Sequence, residues 1–231
     1  MRFQDAAPDA RAVVYAGIQA DPLVARAAEA LDGASQEQLL LARAAMNGER
    51  TDPATWRAMF PGLFAPAGAL EERSRTESIL ALSLEVADRG EQARSQYRGA
   101  IVEALTERLL GHRAAAVRRE RRILFDGVRA EIHPYDVTVE QDAGQEAYDC
   151  KWGARGINAD VLNQLDDARS HARDEGERLL VALVVFDARR SCHARLARET
   201  ASRTDMRLVT IETIGELSTR PPADIAPPPN W

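Results

Sequence analysis

Two stretches decide the reading of this chain: Pro134-Tyr135-Asp136-Val137-Thr138-Val139-Glu140 and Glu146-Ala147-Tyr148-Asp149-Cys150-Lys151-Trp152. Each reads as a strand, and residues 142–145 between them read as the turn that pairs them. Side chains alternate between the two faces of a strand. Asp149 and Lys151 therefore share one face, and Tyr148, Cys150 and Trp152 share the other. In the first stretch Asp136 lies on the face opposite Tyr135, Val137 and Val139. Pairing the two strands predicts that Asp136, Asp149 and Lys151 converge, with Tyr135, Cys150 and Trp152 packed behind them as core.

The surrounding sequence supplies more elements. Residues 95–112 form an amphipathic pattern with Ile101, Leu105 and Leu109 apolar. Arg121–Phe125 reads as a strand, Asp126-Gly127 is a hairpin signal, and residues 128–140 and 146–152 follow as strands. Residues 158–174 read as a helix. The run LLVALVVF at 179–186 suits a strand buried on both faces. A helix over 191–203 and a strand over 207–212 complete the order α-β-β-β-α-β-α-β. That order predicts an α/β fold with a mixed central sheet flanked by helices. Residues 1–92 read as an all-helical region for substrate or partner recognition. It has helix starts at Asp21-Pro22 and Asp52-Pro53, a capping box at Ser35 and Gln38, and a longer helix over 68–88. Residues 93–217 hold the sheet, and the proline-rich segment 218–231 reads as disordered.

Composition narrows the function. The 231 residues carry a formal charge of −6, which argues against coating nucleic acid by bulk charge. No apolar run approaches the roughly 20 residues of a membrane span. The first residues have acids where an export signal would be apolar, and two cysteines make no disulfide framework, so a reducing cytoplasmic setting is expected. Two cysteines and four scattered histidines do not suggest a zinc site. All but one of the 30 basic residues are arginine, and the exception is Lys151. The bland explanation is an arginine-biased composition that left one lysine by chance. The pointed one is a site needing a compact ammonium that guanidinium cannot replace.

Two carboxylates and an ammonium on one strand pair form a chemically loaded group. Close carboxylates repel unless a cation joins them, and oxygen ligands suit Mg²⁺ or Mn²⁺. A neighbouring lysine can position or activate a water, or offset charge on a phosphorane-like transition state. The set makes sense for hydrolysing a phosphodiester. Arg113, Arg118, Arg119, Arg121 and Arg122 stand against Glu120 alone in the most basic segment of the chain. That segment reads equally as a phosphate-tracking surface and as a solvated strand edge.

Pro134-Tyr135-Asp136, twelve residues, then Asp149-Cys150-Lys151 resembles the motif of the PD-(D/E)XK nuclease superfamily, whose core runs α-β-β-β-α-β. The segment Gly99-Ala100-Ile101-Val102-Glu103 resembles the superfamily's preceding helix, with Glu103 in the glutamate's place, and Gln164 fits a glutamine found after the lysine in many members. The resemblance covers residues 95–215. Ala168 departs from it where some exonuclease-like members have an aromatic residue. It implies a restriction-endonuclease-like core and Mg²⁺- or Mn²⁺-dependent hydrolysis of DNA, in restriction, repair or anti-phage defence. The implied metal ligands are Asp136, Asp149, the backbone carbonyl of Cys150, and Glu103. Lys151 is the implied water-activating residue. Gln164, Arg155, Arg118, Arg119, Arg121 and Arg122 would contact nucleic acid. A partner protein or a second copy could deliver the DNA to so acidic a chain. Two alternatives stay open: a non-catalytic nucleic-acid-binding or assembly subunit of the same fold, and an RNA-cutting member. Glu103, beside Glu107 and Arg108, also reads as a solvent-facing residue.

Overall fold

A computed structural model describes residues 1–6, 10–48, 52–66, 69–125, 128–129, 133–141, 144–199 and 207–222. It separates into two compact units, one of Asp9–Leu105 and one of Met1–Pro8 with Thr106–Trp231. The expected boundary at 92/93 therefore moves in both directions. The first residues belong to the sheet unit, and the helical unit runs to Leu105.

The helical unit holds α1 (Ala10–Gln19), α2 (Pro22–Leu31), α3 (Gln36–Asn47), α4 (Pro53–Met59), α5 (Leu70–Ala87) and the first part of α6 (Glu91–Gly111). The helix starts follow from local chemistry. Asp21 and Asp52 accept backbone N–H bonds at the starts of α2 and α4, each with proline in the first turn, and Ser35 and Gln38 cap α3 reciprocally. Leu41, Ala45, Trp56 and Leu80 form a buried cluster in this unit.

In the sheet unit, β1 (Arg2–Asp5), β2 (Val117–Phe125), β4 (Tyr135–Gln141), β5 (Gly144–Lys151), β6 (Leu179–Val185) and β7 (Arg207–Val209) lie side by side in that order. The short β3 (Val128–Arg129) pairs with the end of β2. β1, β2, β4 and β5 pair antiparallel, while β5, β6 and β7 pair parallel. The sheet is mixed and flanked by helices, as the element order implies. α7 (Ala159–Asp174) joins β5 to β6, and α8 (Arg189–Glu199) precedes β7. Among the described residues no helix is long and apolar enough to cross a membrane.

Two features depart from the expected pattern. Residues 2–5, expected within the all-helical region, form an edge strand, because Phe3 sits opposite Ile123 and both are buried in the sheet core. Tyr135 does not pack behind the sheet with Val137. It joins Ala147, Leu183, Leu162, Leu165 and Ala168 in the core under α7. Strict alternation breaks next to it: β2 pairs Arg119 with Val137 and Arg121 with Tyr135, and Glu120 between them takes a left-handed φ of 52°. The turn signals at 126–127 and 142–143 and the tail from 223 onward lie outside the described residues.

Candidate active site at the parting of two strands

The β4–β5 ladder runs from Gln141 opposite Gly144 to Val137 opposite Tyr148, and stops there. One residue further on, the Asp136 side chain takes over. Its Oδ2 accepts the backbone N–H of Cys150 at 2.5 Å. The carboxylate thus fills a ladder position that the β4 backbone leaves open, and so Asp136 is fixed against β5. Cys150 itself turns to the other face, where its Sγ lies 3.6 Å from Thr106 Oγ1.

Asp149 and Lys151 follow alternation, on the face of β5 that carries Ala147 in the core under α7. Their β6 partners, Leu183 and Val185, belong to the same core. The site therefore stands at the end of an apolar layer. Asp149 is buried, and the Lys151 side chain is 27% exposed. The Lys151 Nζ donates to Asp149 Oδ1. Burial disfavours the ammonium, but the charges of Asp149 and Asp136 and the hydrogen bond to Asp149 outweigh it. Lys151 is held above its ordinary value, firmly protonated.

The lysine is also shaped from behind. Asp187 Oδ2 accepts the N–H of Ala154 at 2.9 Å, anchoring the tight turn Ala154–Gly156. Gly156 of that turn faces the lysine stem, and Asn158 then caps α7 by accepting the N–H of Val161 at 3.0 Å. Trp152 stacks on Phe186, with ring centroids 5.1 Å apart. Asp187 and Gly156 carried no sequence signal for this role, because the contacts depend on how the chain closes after β5.

The sheet unit thus brings Asp136, Asp149 and Lys151 together. Glu103 belongs to the helical unit. It is only 4% exposed, which removes the solvent-facing reading. Its Oε1 accepts the Tyr15 hydroxyl at 2.5 Å, and its Oε2 accepts Gln19 Nε2 at 2.8 Å. Gln164, expected to reach nucleic acid, binds its own chain: Oε1 accepts the N–H of His133 at 3.3 Å, and Nε2 donates to the His133 carbonyl at 3.1 Å.

Several arginines of the basic segment are already paired. Arg119 pairs with Glu107, Arg121 lies 3.2 Å from Asp5 and 3.3 Å from Glu140, and Arg113 forms a two-pronged bridge to Glu146. Arg118 and Arg155 are exposed, and Arg122 is half-buried. Among the described residues no group of three or more His, Cys, Asp or Glu is arranged to hold a metal ion. Mg²⁺ needs only one or two protein carboxylates, the rest of its shell being water and phosphate oxygen. Asp136, Asp149 and the Cys150 carbonyl are oxygen donors of the right kind. The ammonium of Lys151 already acts as the cation that these carboxylates attract.

No family model matches the chain, and no curated protein does. A crystal structure of protein VC1899 from Vibrio cholerae is similar over 94% of this chain and 57% of its own, at 16% identity and a TM-score of 0.43, so the chain spans little more than half the length of that protein.

Proposed function

We propose that this chain is a metal-dependent nuclease of the PD-(D/E)XK type, with a restriction-endonuclease-like core, that hydrolyses phosphodiester bonds in DNA. One observation carries the reading: Asp136, Asp149 and Lys151 meet where β4 and β5 part, with both carboxylates close enough to raise the affinity of Lys151 for its proton. Asp136 and Asp149, with the Cys150 carbonyl, would hold Mg²⁺ or Mn²⁺. When bound, such an ion neutralises phosphate charge and makes a bound water more acidic.

The chain's own residues do the rest. Lys151, held protonated, is a hydrogen-bond donor that can orient the attacking water or offset charge on the phosphorane-like transition state. Asp149 keeps the ammonium in place. Arg155, exposed in the turn just after the lysine, offers a guanidinium for the scissile strand. The buried apolar layer beneath lowers the local polarity and strengthens each of these interactions.

A second reading, a binding or assembly subunit that does not cut, is favoured by the direct Lys151–Asp149 pair, in which the ammonium already serves as the counter-cation a metal would supply. Incubation with duplex DNA and with RNA, in Mg²⁺ and in EDTA, separates the readings. Wild type should cut in Mg²⁺ alone, and Lys151→Ala and Asp149→Ala should not. Equal cleavage by all three overturns the proposal, and a mobility shift without cleavage favours the second reading.

A further inference from the structure

We infer that Gln164 is a positioning residue for Asp136, acting through the three residues that precede it, and not a contact to nucleic acid. The catalytic consequence rests on the nuclease reading; the mechanical one does not. Asp136 lies beyond the end of the β4–β5 backbone ladder, so on that side only its own carboxylate ties it to β5. α7 supplies the missing anchor. Both ends of the Gln164 amide grip the backbone of His133, at 3.3 Å and 3.1 Å, and the Gln164 backbone carbonyl accepts the Tyr135 hydroxyl at 3.4 Å. Tyr135 is fully buried, and Pro134 between the two held residues has a restricted φ. The segment His133–Tyr135 is therefore clamped to α7 at both ends, and Asp136 is the next residue.

Only an amide fits this role. The His133 N–H needs an acceptor and the His133 carbonyl needs a donor, on one short planar group. A carboxylate at 164 would meet the N–H but oppose the carbonyl. Because Asp136 Oδ2 accepts the Cys150 N–H, that amide reports where the carboxylate sits.

Amide hydrogen exchange in the metal-free protein tests the inference. Asp136→Asn calibrates the reporter, by weakening the acceptor directly. In Gln164→Ala and Gln164→Glu the Cys150 N–H should exchange about tenfold faster, while the Leu183 N–H in β6 keeps its protection. If Gln164→Ala loosens the whole domain, Tyr135→Phe, which removes the hydroxyl that makes the 3.4 Å bond, should still accelerate Cys150 selectively. Unchanged Cys150 exchange in these variants overturns the inference. With cleavage measured alongside, Gln164→Ala should lower kcat with unchanged DNA affinity; weakened affinity at unchanged kcat and exchange would instead make Gln164 a nucleic-acid contact. A wild type that exchanges as described but never cuts would remove the nuclease reading and leave the clamp standing.

Discussion

Gly156 lies against the aliphatic stem of Lys151: a Cβ added at 156 would come within 2.8 Å of the lysine Cβ, 2.9 Å of Cγ and 3.0 Å of Cδ. The nearest of these atoms is tied to the β5 backbone and cannot swing away. Gly156→Ala is therefore an overpacking change, expected to cost about 1–3 kcal/mol of stability and to push the ammonium off Asp149. On the proposed nuclease reading, cleavage should fall at least about tenfold, since displacing a catalytic group by a fraction of an ångström has effects of that order. Steady-state rates beside a urea melt check it. Full activity would mean that the lysine's placement is unimportant.

Lys151→Arg keeps the positive charge but not its shape. Guanidinium is planar, larger, and holds its proton more firmly. It would have to fit between Asp149 and the Gly156 turn. The variant should remain folded and lose cleavage by about 100-fold or more, the scale of a missing acid–base or electrostatic contribution. Rates near wild type would return Lys151 to the status of a compositional accident.

Arg113 and Glu146 form a buried ion pair in the sheet unit, with side chains 10% and 9% exposed. Tyr148 donates to the same carboxylate, and Arg113 Nε holds the Leu217 carbonyl at 2.9 Å. Arg113→Met strands a buried carboxylate and should destabilise the domain by about 3–5 kcal/mol, whereas Arg113→Met with Glu146→Leu should recover a large part of that loss. Urea denaturation of the three proteins decides it. Equal stability of all three proteins would show the pair to be energetically idle, and a double variant no more stable than the single one would show that the stranded carboxylate is not the cause of the loss.

Asp21, the N-cap of α2, gives the helical unit an acid-sensitive joint. The Tyr97 hydroxyl first, then the Leu23 N–H, stabilise its carboxylate against burial, with help from Arg89, and its pKa is lowered. A folded-state pKa below the unfolded one contributes stability above the ordinary value near 3.8, and that stability is lost as pH falls through the lowered value. Asp21→Asn should therefore lower stability at pH 7 and flatten its fall below about pH 4. Parallel slopes in the two proteins would deny Asp21 this role.

The strands and helices around the site were legible because their signals are local: alternation in residues 146–152, the apolar run at 179–186, and caps at Asp21, Ser35 and Asp52. Alternation also placed Asp149 beside Lys151. It misplaced Tyr135, because the distortion at Glu120 and the end of the β4–β5 ladder reset the faces just where Asp136 begins. β1 escaped notice because four residues give too short a pattern, and its partner lies over a hundred residues away. The roles of Gln164 and Gly156 were equally hidden. A glutamine that grips backbone looks in sequence like a glutamine that grips phosphate, and a glycine needed for closeness looks like one needed for a turn.

Since these 231 residues contain a single lysine, an isotope-labelled lysine supplied during expression places one ε-carbon signal in the chain, and its ammonium is bonded to Asp149 and within the field of Asp136. No resonance assignment is needed. Titration with a divalent ion, with DNA, or with base would each be read from the same peak, at the centre of the candidate site and nowhere else.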